Sequence, residues 1–417
     1  MKSPAWASVG LVGAIMVVNA GNYGLNVLLA NKLAPSVFGD ASLMVTVLLI
    51  SGVLAATLQL ATSVATLKHP DRRDTQLRSM RLVANRWGWF AGLLLAVASP
   101  VATRLLTIEG PWALLVMAAG LPIHLQLAVE RGRLQGDLRL GRLALTFVFE
   151  GVARVAATLL ALAISPDVTT LAIALNAGFL GGYWLCRPGL GRWSWLDLSD
   201  PVSPPPIASL GVAVVAVTMI TNLDLIAAKG VFDPRTAGVF AALALGGRVV
   251  FFGSWTLQQA LLPLVIAEHP TLSKKLRKQI FFLGNAVVCT VLVGAGWIWA
   301  DRWVELAFGG IYQDVATRFG PYALGTGLIS MAAALAIIRS TEGDDRAGRS
   351  MLSGAVGVTV ALFAAGHSLD TFVDVRLASL IVLVAVLGLG ELKGQVSIPV
   401  PQRMSAPCRS DNEGVLL

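Results

Sequence analysis

Polar side chains at helical spacing interrupt the first long apolar segment of the chain. They are Asn19, Asn22, Tyr23 and Asn26. Their spacing of i, i+3, i+4 and i+7 places them on one face of an α-helix. An unpaired amide in hydrocarbon costs several kcal/mol, so this face must meet either water or another helix. The stripe therefore predicts a polar cavity, and contact with a packed helix is the alternative.

Two arginines lie deep within later apolar segments, where ionisable side chains are costly and usually functional. At 1.5 Å per residue, Arg154 and Arg248 are each predicted about 16 Å from a helix end, near the bilayer midplane. Glu150 precedes Arg154 by one turn, so a local i, i+4 ion pair is the alternative for Arg154. Arg248 has no acid one turn away. We expect it to meet either an anionic substrate or an acid on another helix, with Asp224 and Glu150 as candidates.

Asp224 and Lys229 belong to the same predicted helix. Asp224 lies within the apolar part, where a carboxyl group can accept a proton or pair with a neighbouring cation. Lys229 lies closer to the helix end, which favours extension of its amine to the membrane surface.

A second polar stripe lies 199 residues after the first and contains Thr218, Thr221 and Asn222. Two polar stripes at equivalent positions favour a cavity over helix packing alone. No residue is assigned to catalysis or to a metal. The predicted substrate cavity comprises Asn19, Asn22, Tyr23, Asn26, Arg154, Thr218, Thr221, Asn222, Asp224 and Arg248.

The elements that must position these side chains are membrane-spanning helices. The 417 residues are 55% hydrophobic and 13% charged, with a mean hydropathy of +0.72, which is far from the composition of a soluble domain. Apolar runs of about 20 residues, enough to cross the hydrocarbon layer, recur throughout the chain. About twelve helices are predicted, at 5–30, 39–67, 87–106, 112–130, 143–165, 168–186, 207–231, 237–267, 280–300, 319–339, 350–368 and 374–393. The longest predicted outer loop, around 300–319, is too short to fold alone.

Basic residues are distributed unevenly between the two sides of these helices. Most of the 32 Lys and Arg residues fall at the termini and in the loops that follow even-numbered helices. Because cytoplasmic loops are the ones rich in Lys and Arg, we expect a multi-pass protein of the plasma or inner membrane with both termini in the cytoplasm. This bias and attraction to anionic lipids explain the net charge of +8, and no nucleic-acid partner is expected.

The chain contains an internal repeat. Pro35 and Pro234 are 199 residues apart, as are Gly39 and Gly238, and the motif "GDLRLGR" of 136–142 recurs as "GDDRAGR" at 343–349. We interpret this motif as a topology anchor and a tight turn. An even number of helices per half relates the halves by an axis along the membrane normal. The predicted domains are a six-helix bundle at 1–200, a second at 201–395, and a disordered cytoplasmic tail at 396–417.

The segments "NVLLANKLAPSVFGDASL", "RGRLQGDLRLGRLALTF", "NLDLIAAKGVFDPRTAGVFAALALGGRVV" and "LAFGGIYQDVA" together resemble polysaccharide flippases of the multidrug/oligosaccharidyl-lipid/polysaccharide (MOP) exporter superfamily. The resemblance covers nearly the whole chain. It implies two six-helix bundles around a central cavity that move a polyprenyl-diphosphate-linked oligosaccharide from the cytoplasmic to the external leaflet. The resemblance does not by itself assign a functional role to individual residues.

Three classes of function remain open. A lipid-linked oligosaccharide flippase is favoured by the resemblance and by basic residues suited to a diphosphate. A cation-coupled exporter of small molecules in the same superfamily would use buried carboxylates such as Asp224 and Glu150. An enzyme is disfavoured, because the chain has no P-loop, HExxH or GxSxG motif. We expect no cofactor, and the expected partners are the lipid-linked substrate and membrane lipids, with a polysaccharide polymerase and glycosyltransferases as candidates.

Overall fold

The protein is an assembly of long α-helices, and the part of the chain that the structure describes contains no β-strand. The computed structural model describes residues 4–68, 73–186, 208–266, 273–342, 344, 346–366 and 368–396. The helices are α1 (Pro4–Lys32), α2 (Pro35–Lys68), α3 (Arg73–Leu105), α4 (Trp112–Gly136), α5 (Leu140–Ile164), α6 (Val168–Cys186), α7 (Ala208–Val231), α8 (Pro234–Ile266), α9 (Lys274–Ile298), α10 (Ala300–Phe308), α11 (Ala316–Thr341), α12 (Arg346–Ala364) and α13 (Leu369–Val396).

The predicted all-α membrane fold of about twelve helices is confirmed. Eleven candidate membrane spans occur among the described residues, and α1 adds a further helix of 29 residues. Two details of the prediction were wrong. Helix α3 begins at Arg73 rather than near 87, so its basic residues extend a helix instead of forming a loop. The predicted outer loop contains α10 and a 3-10 segment, Gly310–Val315.

Local sequence explains several helix starts. Pro35 and Pro234 stand at the first positions of α2 and α8, where a missing backbone N–H costs nothing. Asp233 caps α8, because its Oδ1 accepts hydrogen bonds from the backbone N–H groups of Arg235 at 3.0 Å and Thr236 at 3.2 Å. The side-chain hydrogen bond with Thr236 is the main factor that holds the pKa of Asp233 below its usual value.

The two halves of the chain repeat one packing pattern. In the first half, α4 packs against α2, α3 and α6, while α1 packs against α5. In the second half, α11 packs against α8, α9 and α13, and α7 packs against α12. This is the arrangement that the sequence repeat predicts. The proposed boundary near residue 200 and the tail after Val396 lie outside the described residues.

The GDxRxGR motif has a structural role in the first half. Gly136 ends α4 against α2, and a Cβ there would lie 1.7 Å from the Thr66 hydroxyl. Asp137 forms an ion pair with Arg73 of α3. These contacts join three helices, in line with the structural interpretation of the motif. Gly343 of the second copy lies outside the described residues.

The halves meet closely where α2 and α8 begin. A Cβ at Gly39 would lie 3.1 Å from the Cα of Gly238, and a Cβ at Gly238 would lie 1.7 Å from the carbonyl oxygen of Pro35. The backbones therefore touch, and only glycine permits that approach. We call this side of the molecule the Gly39 end and the opposite side, where α4 finishes, the Gly136 end. The charge distribution predicts that the Gly39 end is external.

Candidate functional site

The Arg248 side chain of α8 contacts α2, which belongs to the other half of the protein. Its Nη2 donates hydrogen bonds to Thr46 Oγ1 of α2 at 3.0 Å and to Asn222 Oδ1 of α7 at 3.1 Å. Both acceptors are neutral, and the side chain is half-buried. Among the described residues, no carboxylate forms an ion pair with Arg248, so the predicted pairing with Asp224 or Glu150 is not present. No described carboxylate therefore neutralises the positive charge of the guanidinium. Its remaining N–H donors are left for an anion.

The predicted stripe of α7 orients Asn222 toward Arg248. Asn222 Nδ2 donates to the Thr218 carbonyl oxygen at 2.9 Å and to Thr221 Oγ1 at 3.1 Å. The amide oxygen is thereby left for the guanidinium. The three polar residues of this stripe thus form one network, and their predicted role in lining a substrate cavity stays a prediction.

Asp224 belongs to a buried cluster within the second half and forms no ion pair with Arg248. Its Oδ2 accepts hydrogen bonds from Arg376 Nε of α13 at 2.9 Å and from the Tyr322 hydroxyl of α11 at 2.6 Å, while its Oδ1 accepts from the backbone N–H of Leu225 at 2.8 Å. The Arg376 guanidinium also stacks 3.9 Å from the Tyr322 ring centroid. Asp224 and Arg376 are 3% and 2% exposed, so they form a neutral, enclosed pair.

In the first half, two arginines share one carboxylate. Arg154 of α5 forms an ion pair with Glu150, which is the local pair anticipated for it, and Arg131 Nη2 of α4 lies 2.6 Å from Glu150 Oε2. Arg154 Nη1 also donates to Asn22 Oδ1 of α1 at 3.3 Å. The two guanidinium groups and one carboxylate leave a net positive charge beside the polar stripe of α1.

The polar stripe of α1 is only partly covered. Asn19 is exposed, whereas Asn22, Tyr23 and Asn26 are half-buried. Asn26 Nδ2 donates to the Asn22 carbonyl oxygen at 2.7 Å, and Tyr23 packs against the apolar core that both halves share. The stripe thus combines both alternatives, because Asn22 bonds across to α5 while Asn19 stays open.

Lys229 corrects one sequence-based interpretation. Its side chain does not extend to the surface: it is fully buried and forms an ion pair with Asp40 of α2. This pair joins the halves close to Gly39. Nearby, Asn31 Nδ2 of α1 donates to the Ala307 carbonyl oxygen of α10 at 2.6 Å, and the Phe38 ring meets the Tyr312 ring edge-on at 6.2 Å. The Gly39 end is therefore closed by contacts between the halves.

Sequence reasoning missed the partners that other helices supply. They are Asp40, Thr46, Arg131, Tyr322 and Arg376. Each of them contacts a polar residue that the sequence analysis had singled out within a span. None lies at helical spacing from the residue that it contacts. The available signal was that Arg376 and Asp40 are themselves ionisable residues inside helices.

The side chains described above include five that are basic and three that are carboxylates, and four of the basic ones pair with a carboxylate. Lys229 with Asp40 and Arg376 with Asp224 are neutral pairs, and Glu150 neutralises one of its two arginines. The excess is two positive charges, one beside α1 in the first half and one on Arg248 in the second. Along its own helix, Arg248 lies about 21 Å from the start of α8, well inside the membrane.

No model of a known protein family matches the sequence, and no curated protein matches it either. Solved structures do match its fold. An inward-facing structure of a multidrug resistance MATE family transporter of the MOP superfamily has a TM-score of 0.70 at 14% identity, over 93% of this chain and 99% of that one. The outward-facing conformation of such a transporter gives a TM-score of 0.57 at 14% identity, over 95% and 98%. The lipid II flippase MurJ, in an inward closed conformation, gives 0.65 at 11% identity, over 95% and 88%.

Proposed function

We propose that this chain, which has the fold of MOP-superfamily transporters, is an alternating-access flippase for a polyprenyl-diphosphate-linked oligosaccharide. It would move this lipid from the cytoplasmic to the external leaflet of the plasma or inner membrane. The observation that carries the proposal is Arg248, a guanidinium inside the membrane that neutral partners hold and no carboxylate of the described residues pairs with.

The charge balance supports a diphosphate as the ligand. A diphosphate linkage carries a negative charge on each phosphate group, and the site region has an excess of two positive charges, from the Glu150 cluster and from Arg248. A guanidinium presents parallel N–H donors that match phosphate oxygens, and such charge-assisted bonds are about twice as strong as neutral ones. Either cation can pair with a phosphate of the linkage.

The closed Gly39 end supports alternating access. The contacts that join the halves there, the Asp40–Lys229 pair among them, would have to separate for substrate to leave on that side. The protein is also more similar to the inward-facing MATE transporter than to the outward-facing one, with TM-scores of 0.70 and 0.57. This matches a conformation that opens toward the Gly136 end, where the charge pattern predicts the cytoplasm.

The cation-coupled exporter is the weaker alternative. That function needs a buried carboxylate that can release its partner and take up a proton or metal ion. Asp224 is held by Arg376, Tyr322 and a backbone N–H, and Glu150 is held by two arginines. These partners occupy the carboxylate oxygens that a coupling cation would use.

The test uses proteoliposomes that contain the full-length protein and a short-chain polyprenyl-diphosphate disaccharide. A lectin added outside measures how much disaccharide becomes accessible. We expect faster exposure than in protein-free vesicles, a loss of about tenfold or more for Arg248→Ala, and partial recovery for Arg248→Lys. Arg235→Ala, which removes an exposed arginine of the same helix, is the control. Wild-type exposure no faster than the background, or full activity of Arg248→Ala, would overturn the proposal.

A further inference from the structure

A cavity of about 470 Å³ lies between α8, α9, α10 and α11, apart from the polar site. Its floor is the Phe319 ring, which packs against Gly246 of α8 and Gly296 of α9 so closely that a Cβ at either position would lie under 3 Å from the ring. Its walls include Val249, Leu292 and other apolar side chains. A cavity of this size and lining suits an apolar ligand.

Helix α10 forms the mouth of the cavity. One face of this short helix, with Ala300, Val304, Ala307 and Phe308, is buried against the protein. The other face, at i, i+3, i+4 and i+7 spacing, lines the cavity with Trp299, Arg302, Trp303 and Leu306. Large apolar side chains stay exposed here, since Trp299 is 57% and Leu306 81% exposed. Tryptophan at a helix end with an amphipathic helix beside it is typical of the membrane interface.

Arg302 is the charged member among the described residues that line the cavity. Asp301 and Glu305 of the same helix do not line the cavity, and no described carboxylate forms an ion pair with Arg302. Its guanidinium is exposed. A positive charge above an apolar cavity at the interface complements a ligand with an anionic head and an apolar tail.

The dimensions agree with such a ligand. The lining residues of α8, from Gly246 to Val250, lie about 18 to 24 Å along that helix from its start at Pro234. One leaflet of the hydrocarbon layer is about 15 Å thick, half of its full depth. The cavity thus extends from the headgroup level of the Gly39 end to the depth that a lipid tail reaches.

From this geometry we infer that the cavity is a binding site for an anionic phospholipid of the bilayer, with its phosphate on Arg302 and one acyl chain over Phe319. The lipid fills the cleft between α8 and α9 and steadies α10, which contacts the closed Gly39 end through the Asn31–Ala307 hydrogen bond. This site is separate from the proposed path of the transported lipid, and it stands whether or not that function is correct.

The experiment measures lipid binding to the purified full-length protein by native mass spectrometry, with phosphatidylglycerol and phosphatidylcholine of identical chains as probes. One arginine near the membrane surface contributes about 1 kcal/mol to binding an anionic lipid, so we expect about fivefold preference for phosphatidylglycerol. Arg302→Ala should reduce this preference to none, while Arg235→Ala, at the same end of the protein, should retain it. Ala295→Trp, which fills the cavity, should reduce the binding of both lipids.

The position and the identity of the bound lipid are tested with a phosphatidylglycerol that carries a diazirine in one acyl chain. Crosslinked peptides should come from α9 and α10, and Ala295→Trp should remove them. The inference would be overturned if the Arg302→Ala and Arg235→Ala variants preferred phosphatidylglycerol equally. Crosslinks confined to other helices would also overturn it. Displacement of the probe by a polyprenyl phosphate at lower concentration than by phosphatidylglycerol would also overturn it, because the site would then belong to the transported lipid. Each variant is compared with the wild type in melting temperature, so that loss of fold is distinguished from loss of the site.

Discussion

Lys229 of α7 and Asp40 of α2 form a buried ion pair that joins the two halves of the protein at its closed end. Lys229 has no exposed surface, and Asp40 is 5% exposed. The pair lies one residue from Gly39, where the backbones of α2 and α8 touch. The ion pair and the glycine contact therefore stabilise the same closed arrangement, and each can be tested separately.

Removal of one partner of this pair should destabilise the protein more than removal of both. Lys229→Met leaves an unpaired carboxylate in the interior, which costs about 3–5 kcal/mol. The double variant Asp40→Leu/Lys229→Met has no buried charge left there, and we expect it to recover most of the loss. Melting temperature in detergent provides the measurement. A single variant as stable as the wild type would show that the pair does not contribute.

Gly238→Ala should prevent closure of the Gly39 end. Its methyl group would lie 1.7 Å from the Pro35 carbonyl oxygen, so α2 and α8 must separate. We expect a cysteine placed at Ser36 to react with a hydrophilic thiol reagent faster in this variant. Gly52→Ala is the matched control, because nothing lies within 4 Å of a Cβ at that position of α2. Equal labelling rates in both variants would contradict the importance of the glycine contact.

Arg376 should be needed for stability rather than for transport. Arg376→Met leaves Asp224 buried with Tyr322 and one backbone N–H as its remaining partners, so we expect a lower melting temperature and lower abundance. Asp224→Asn/Arg376→Met should regain most of both, since the amide oxygen still accepts from Tyr322. If the cation-coupled alternative were correct, the stable double variant would lose transport that depends on an ion gradient.

The membrane orientation can be tested by cysteine labelling in whole cells. Cysteines placed at Arg139 and Lys275, both exposed at the Gly136 end, should resist a membrane-impermeant reagent, whereas cysteines at Arg235 and Leu306 should react. The native Cys186, Cys289 and Cys408 are first replaced with serine. The reverse pattern would place both termini outside and contradict the charge-based prediction.

Much of the architecture follows from the sequence because it depends on properties that local segments carry. A run of apolar residues in hydrocarbon must satisfy its own backbone hydrogen bonds, so it forms a helix wherever it spans the membrane. The matched Pro35 and Pro234 marked equivalent helix starts, and helical spacing placed Thr218, Thr221 and Asn222 on one face of α7, where they bond to one another. The start of α3 was missed because its first residues are polar, and hydropathy detects only the part of a helix within the hydrocarbon.

Pairing between helices is what only the tertiary structure decided. The sequence allowed Asp224 to pair with Arg248, but Asp224 pairs with Arg376. It favoured extension of Lys229 to the membrane surface, but Lys229 pairs with Asp40. A residue's helical position defines the face on which it lies, but the neighbour on that face depends on how all the helices pack and rotate together. Arg248 pairs with no carboxylate of the described residues for the same reason: α8 turns it toward Thr46 and Asn222 at the boundary between the halves.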